Sequence, residues 1–329
     1  NYSINTVIAM IITKTPLRIT LGGGGTDLPS YYNKRNGYVL SLAINKYIYI
    51  FLNKTFINYF QIKYSQYEKV RNLNEIKHNL IRESFKKFKI KDKLEISSIA
   101  DVPSGTGLGS SGTFGVGLFK ALYKYNNINV SKFDLALNSS KLEINKLKEN
   151  VGHQDNFVAS YGGLVEQKYY KKKIVINKLK ISDSFENVIK ENLIMFYTGS
   201  TRSASKVLKI QDKKTKEEDK KMLKNLDEVK SLGIETKKLI QNNNFEEYDL
   251  ILKEHWKLKK SRDNNISNNK INDLFEHGIK NGATAGKLVG AGGGGFILFY
   301  TKNKKKLKKA FKKSMHFEFD YTDSGCELI

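Results

Sequence analysis

The chain has few of the residues that constrain a fold covalently or stiffen its backbone, since its 329 residues include one cysteine and three prolines. A lone cysteine, Cys326, excludes an intrachain disulfide, and we therefore expect a reducing, cytoplasmic location. With five histidines beside it, the sequence offers no structural zinc site. Long apolar runs are also lacking, so neither a signal peptide nor a membrane partner is expected.

Acidic residues are in the minority, because 57 Lys and Arg stand against 33 Asp and Glu and give a net charge of +24. The lysines are spread through most segments, which favours a general basic background or attraction of anionic small molecules. The densest runs, residues 171–173 and 302–313, carry no interleaved aromatic residues for base stacking. We therefore expect no nucleic-acid partner, although a continuous lysine stripe on the surface would favour one.

Glycine, by contrast, is concentrated in three clusters, which need a common cause because glycine is costly in regular structure. They are Gly-Gly-Gly-Gly-Thr-Asp at residues 22–27, Pro-Ser-Gly-Thr-Gly-Leu-Gly-Ser-Ser at 103–111 and Gly-Ala-Gly-Gly-Gly-Gly at 290–295. After the middle cluster, Phe114, Leu118 and Leu122 recur every four residues and predict a helix. The free N–H groups at such a helix start favour a phosphate, so we call residues 103–111 the phosphate loop.

The phosphate loop differs from the common glycine-rich motifs and from a linker. A Walker A loop requires a lysine before its Ser or Thr, and none is present. Gly107, Gly109 and Gly112 have the spacing of a dinucleotide fingerprint, but Asp134, the acidic residue near the required distance, opens a helical segment instead of closing a strand. A flexible linker is disfavoured because apolar segments flank the loop on both sides.

The periodicities predict an α+β protein with two domains, at residues 10–185 and 190–329, and place residues 1–9 ahead of the fold. In the first domain we predict a strand pair at 38–53, a helix at 80–88, a strand at 94–99, a helix from the phosphate loop to about 125 and a helix at 132–148. In the second we predict strands at 193–197, 295–300 and 317–321, a basic helix at 304–313, and helices within 206–260 broken at Gly233 and at 242–244.

These motifs together resemble a known family. Pro-Leu-Arg-Ile-Thr at residues 16–20, with the first glycine cluster behind it, looks like the first motif of the GHMP kinases. The phosphate loop matches their second motif at every fixed position, and residues 287–294 resemble the third. Gly-His-Gln-Asp at 152–155 and Tyr-Gly-Gly at 161–163 are most similar to the heptose 7-phosphate kinases of this superfamily, with fucokinase domains close behind.

The resemblance implies a two-domain fold, with a ribosomal-S5-like N-terminal domain and a ferredoxin-like C-terminal domain on either side of the active site. It implies ATP and Mg²⁺ as cofactors, and a sugar phosphate as the small-molecule partner. The implied reaction converts D-glycero-D-manno-heptose 7-phosphate to its 1,7-bisphosphate, for nucleotide-activated heptose synthesis. A fucokinase-like enzyme for a neutral sugar and an inactive nucleotide-binding regulator remain alternatives.

Site residues follow from the same motifs. Asp155 would be the catalytic carboxylate, either as a base or to orient the hydroxyl, and Arg18 would pair with it or with the transferring phosphoryl group. Ser111, with Ser110 beside it, and Glu143 would bind magnesium. The resemblance assigns substrate contacts to Asp27, Gly24, Gly25, Gly292 and Gly293. Nucleotide contacts are expected from Pro103, Gly105, Thr106, Gly107, Leu108, Gly109, Ser110 and Ser111.

A sugar phosphate acceptor requires a second anion site. Residues 198–203, Thr-Gly-Ser-Thr-Arg-Ser, follow the predicted strand at 193–197 and include an arginine, whose planar fork suits a phosphate. We predict that Arg202 binds it, the alternative being an exposed side chain beside a helix cap. For Asp155 the alternative is a helix or turn cap, for Glu143 a solvated helix position, and for Arg18 a surface ion pair.

Overall fold

The computed structural model describes residues 10–312 and 314–329, and the prediction for residues 1–9 lies outside them. Its N-terminal half is built on a mixed sheet that is mainly antiparallel. The strands are β1 (Ile11–Gly22), β2 (Gly37–Lys54), β3 (Phe60–Lys63), β4 (Tyr67–Val70), β5 (Leu94–Ala100), β6 (Leu164–Tyr170) and β7 (Lys173–Leu179). β2 is the central strand, since it pairs with β1 on one side and with β5 and β6 on the other.

Helices cover this sheet and fix where its loops point. They are α1 (Pro29–Arg35), α2 (Asn79–Lys87), α3 (Ser110–Tyr125), α4 (Lys132–Lys141) and α5 (Gln154–Tyr161), and α4 continues as a π-helical segment, Leu142–Lys146. α3 packs on β1 and β2, with Leu118 and Leu122 fully buried. That burial stabilises the helix by about 2 kcal/mol per leucine and fixes the phosphate loop at its N-terminal end.

The C-terminal half has a second, antiparallel sheet. It contains β8 (Leu193–Tyr197), β9 (Ala283–Leu288), β10 (Phe296–Thr301) and β11 (His316–Phe317) in the order β11-β8-β10-β9. The helices of this half are α6 (Asp183–Asn192), α7 (Ala204–Lys216), α8 (Lys220–Gln241), α9 (Tyr248–Arg262), α10 (Asn269–Lys280) and α11 (Lys304–Ala310). The chain is therefore an α+β protein, as predicted.

Several elements connect the halves, among them a strand and a helix. The last strand, β12 (Glu327–Leu328), returns to pair with β1, and α8 packs against β1 and β2. Gly233, in the middle of α8, allows this approach, because a Cβ there would lie 2.8 Å from the backbone nitrogen of Gly23. The division at 185 and 190 stays a prediction. None of the helices in residues 10–312 and 314–329 has the length and apolar character needed to cross a membrane.

Three element predictions were wrong. Residues 38–53 form one long strand instead of a pair, because they pair with β1 on both sides of Asn45 and Lys46, which a bulge opposite Pro16 and Leu17 accommodates. Gly233 does not break its helix, since the glycine serves close packing. The strand predicted at 317–321 is replaced by the short β11, which ends at Phe317, and Tyr321 forms only an isolated bridge to Ile44.

Candidate active site

The phosphate loop leads directly into α3, as predicted, since its last two residues, Ser110 and Ser111, are the first two of the helix, and the backbone of the loop accounts for its glycines. Gly109 is the N-cap of α3 and has a φ of 81°, which residues with a side chain rarely adopt. Gly107 has a φ of 85°, and a Cβ there would lie 2.5 Å from the carbonyl oxygen of Val289. The loop is thus held against the third glycine cluster with its helix N–H groups free for an anion.

Arg18 and Asp155 meet beside this loop. The Nη2 of Arg18 lies 2.6 Å and its Nε 2.7 Å from Oδ1 of Asp155. Nη1 donates to the carbonyl of Gly107 at 2.6 Å, so one arginine joins the carboxylate to the phosphate loop. Arg18 is 5% exposed, which makes the surface ion pair alternative wrong. A carboxylate and a cation held beside a phosphate loop are the groups that phosphoryl transfer requires.

Ser111 and Glu143 are brought together from two elements. The hydroxyl of Ser111 donates to Oε2 of Glu143 at 2.6 Å, and the Asn156 amide donates to Oε1 at 3.1 Å. Glu143 is buried, so the alternative of a solvated helix glutamate is wrong, and its burial raises the pKa of the carboxyl. It lies in the π-helical segment after α4, where the widened turn moves its side chain relative to a regular helix.

These oxygens fit a magnesium ion. Ser110 adds a buried hydroxyl that has no hydrogen-bond partner among the described residues. Magnesium prefers oxygen ligands and is usually held by one or two protein groups together with substrate phosphates, which agrees with one carboxylate and two hydroxyls at this point. In the described residues, no group of three or more His, Cys, Asp or Glu side chains could hold a metal alone.

Asp27 lies at the base of a pocket that Arg18 and Asp155 also line. Its carboxylate accepts hydrogen bonds from the backbone N–H of Gln154 at 3.0 Å and from that of Gly25 at 3.3 Å. Gly152 is required beside it, since a Cβ there would lie 1.8 Å from Oδ2 of Asp27. Burial raises the pKa of Asp27 to about 6. The carboxylate is therefore poised to accept a hydrogen bond from a hydroxyl that enters the pocket.

The lining of this pocket also includes side chains to which the sequence analysis assigned no role. His255, Lys259 and Arg262 come from the C-terminal half of α9, and Lys287 comes from β9. His255 and Lys287 are buried, whereas Lys259 and Arg262 are half-buried. Lys287 belongs to the third motif, but its charge could not be distinguished there from the surrounding lysines.

The other predicted substrate residues are divided between two places. Gly24 and Gly25 line the pocket, whereas Gly292 and Gly293 pack beside Ile266 and Arg202. Arg202 is exposed and donates to the carbonyl of Asn265 at 3.3 Å, and its backbone N–H donates to the Gly105 carbonyl at 3.1 Å. Among the described residues, those lining the pocket do not include Arg202. Its role as the acceptor's anion site stays a prediction.

Comparisons with known proteins give the same family for both halves. The models for the GHMP kinases N terminal domain and the GHMP kinases C terminal region match residues 74–163 and 236–315. A D-glycero-alpha-D-manno-heptose 7-phosphate kinase from Campylobacter jejuni subsp. jejuni is 31% identical, over 96% of this chain and 97% of its own. A bifunctional fucokinase/GDP-fucose pyrophosphorylase from Arabidopsis thaliana is 25% identical, over 93% of this chain and 31% of its own.

A solved structure agrees in fold. The crystal structure of a D-glycero-D-manno-heptose 1-phosphate kinase from Bacteroides thetaiotaomicron superposes with a TM-score of 0.79 at 21% identity, over 97% of this chain and 98% of that chain.

Proposed function

The chain belongs to the GHMP kinases, and from this premise we propose that it transfers the terminal phosphoryl group of ATP to the anomeric hydroxyl of D-glycero-D-manno-heptose 7-phosphate. Family membership and the sugar kinase relatives make it an ATP-dependent phosphotransferase that acts on a sugar hydroxyl. The identity of the acceptor sugar is the part of this function that we propose. It is supported by the 31% identity to a heptose 7-phosphate kinase along nearly the whole chain.

The observation that carries the proposed catalysis is the contact between Arg18 and Asp155 at the edge of the phosphate loop. In our proposal the Asp155 carboxylate accepts a hydrogen bond from the anomeric hydroxyl and orients it, or takes its proton, as the bond to phosphorus forms. Arg18 holds that carboxylate in place and adds positive charge where the transferring group develops negative charge. The same placement argues against an inactive regulator.

The other groups position the nucleotide. The N–H groups of the phosphate loop and of the α3 N-terminus would surround its phosphates, and Ser110, Ser111 and Glu143 would hold the metal. Magnesium held by these side chains would neutralise charge on the phosphates. Asp27, with Gly24 and Gly25, would contact the sugar. Of these groups, Asp27, Gly24 and Gly25 line the pocket, and Ser111 contacts Glu143.

The test is an ATP-turnover screen over sugar phosphates and the matching free sugars. The proposal predicts the highest kcat/KM for heptose 7-phosphate, with a 1,7-bisphosphate as product by NMR. Equal efficiency on the unphosphorylated heptose would overturn the substrate assignment, and preference for fucose would replace it with the neutral-sugar alternative. Turnover of no sugar, with ATP still bound, would support the inactive regulator.

A further inference from the structure

A stripe of basic side chains on α9 faces the acceptor pocket. His255, Lys259 and Arg262 are spaced four and three residues apart, which places them on one face of the helix. β9 packs against α9 and adds Lys287 to the same wall. We call Lys259, Arg262 and Lys287 the cationic wall.

The three cations are held by neutral groups. Lys287 Nζ donates to the carbonyl of Leu21 at 2.8 Å, and Lys259 Nζ donates to that of Leu288 at 2.7 Å. Arg262 donates from Nε to Oδ1 of Asn225 at 3.0 Å and from Nη1 to Oε1 of Gln211 at 2.9 Å. In the described part of the chain, none of the three forms a salt bridge.

Such an arrangement is costly without an anion, because burying a charge lacking a counter-charge is strongly unfavourable. Burial accordingly lowers the pKa of Lys287 to about 7 and that of Arg262 to about 10, and lowers the pKa of Lys259 well below its ordinary value. The carboxylates of the same pocket are engaged elsewhere. Asp155 is bound to Arg18, and Asp27 to the N–H groups of Gln154 and Gly25.

We propose that the cationic wall binds the phosphate group of the acceptor, an inference that rests on the proposed sugar phosphate kinase function. A dianionic phosphate supplies the missing counter-charge, and three cations with spare N–H groups can donate to its oxygens. Arg262 also contacts the first glycine cluster, since a Cβ on Gly25 would lie 2.9 Å from Nη1. Arg262 and Gln211 fill the space that a side chain at Gly25 would occupy, and Nη1 of Arg262 donates to the Gly24 carbonyl at 3.5 Å.

The position of the wall favours the acceptor over the nucleotide. Asp27 and Asp155 line the pocket together with the wall, whereas residues 103–111, as described in the structure, do not. A sugar phosphate that placed its reacting hydroxyl at Asp155 could extend its own phosphate to this wall, which is a different location from Arg202.

The experiment compares Arg262→Gln and Lys287→Met with a control, Lys260→Met. The control removes an exposed charge from α9, the helix that carries Arg262. Steady-state kinetics are measured with heptose 7-phosphate, free heptose and other sugar phosphates. We expect the KM for the phosphorylated acceptor to rise about 10- to 100-fold in each wall variant, the loss of one charge-assisted contact. The KM for the phosphorylated acceptor should rise more than the KM for ATP or for free heptose, and Lys260→Met should match the wild type.

Unfolding in urea provides a second readout, because buried cations without a counter-charge lower the free energy of unfolding of the ligand-free protein. Lys287→Met keeps the buried stem, and removing the charge offsets the loss of the hydrogen bond to the Leu21 carbonyl, so its ligand-free stability should equal or exceed that of the wild type. A marked loss of stability would instead indicate a structural lysine and would contradict the proposal. Lys287→Met also carries the kinetic test if Arg262→Gln does not fold.

The outcomes separate the two proposals. If the wild type prefers heptose 7-phosphate and both variants retain that preference, the cationic wall is wrong and the proposed function stands. If the wild type prefers another sugar phosphate and the variants lose that preference, the result supports phosphate binding by the cationic wall and overturns heptose 7-phosphate as the acceptor. If phosphorylated and free sugars are used equally, both are overturned.

Discussion

Asp27 gives a prediction that links the site to the stability of the whole protein. Burial raises the pKa of its carboxyl from 3.8 to about 6. The native state therefore binds more protons than the unfolded state between these values, and the free energy of unfolding falls as pH rises through that window. At roughly 1.4 kcal/mol for each tenfold change in proton affinity, the full penalty is about 3 kcal/mol.

Asp27→Asn removes this titration. Asparagine keeps an oxygen for the N–H groups of Gly25 and the Gln154 side chain but leaves the Gln154 backbone N–H without an acceptor, a cost of about 1 kcal/mol at every pH. The stability of the variant relative to the wild type should therefore increase by about 2 kcal/mol between pH 4.5 and pH 7.5. The variant should also lose activity if Asp27 contacts the sugar.

Urea unfolding of both proteins at several pH values measures this difference directly. Asp273→Asn serves as the control, because Asp273 is an exposed aspartate on the surface of α10. Its difference from the wild type should stay constant across the range. A constant difference for Asp27→Asn as well would refute the reasoning, since it would mean that Asp27 is no more easily protonated in the native state than in the unfolded chain.

Three further predictions concern catalysis. Asp155→Asn should lower kcat by at least about 100-fold while calorimetry shows unchanged ATP affinity, and near-normal turnover would exclude the carboxylate from catalysis. Gly109→Ala places a Cβ 3.1 Å from Cγ of Arg18 and should lower kcat on the order of 100-fold in a folded enzyme, so normal rates would contradict the contact. Glu143→Gln should raise the Mg²⁺ concentration for half-maximal turnover at least about tenfold, and an unshifted magnesium titration would remove Glu143 from the metal site.

Local sequence signals were sufficient to predict a helix or strand where its conformation depends on residues adjacent in the sequence. The spacing of Phe114, Leu118 and Leu122 predicted a helix opening from the phosphate loop, and α3 begins at Ser110. The apolar run at 193–197 predicted β8 with its observed bounds. In both cases the backbone conformation is set by the residues themselves, namely glycines at the loop and apolar residues in the element.

Predictions failed where the reason for a residue lies in a distant segment. Gly233 has the appearance of a helix breaker, yet it continues α8 because the first glycine cluster approaches the helix there. Glu143 could be assigned to a helix but not to the π-helical turn that aims it toward Ser111. Neither partner is adjacent in sequence, so no local pattern could reveal either contact.

The cationic wall could not be predicted from the sequence either, because a basic residue in the sequence does not show whether its charge is buried. On α9, Tyr248, Leu252 and Trp256 form an apolar stripe and are buried, because such a stripe implies a core wherever the helix lies. The basic stripe on that helix carries no such implication, since 57 lysines and arginines are spread over the chain and most can be solvated. What distinguishes Lys287 is that tertiary packing removes it from water without providing a carboxylate, and this makes a bound anion the physical reason for its charge.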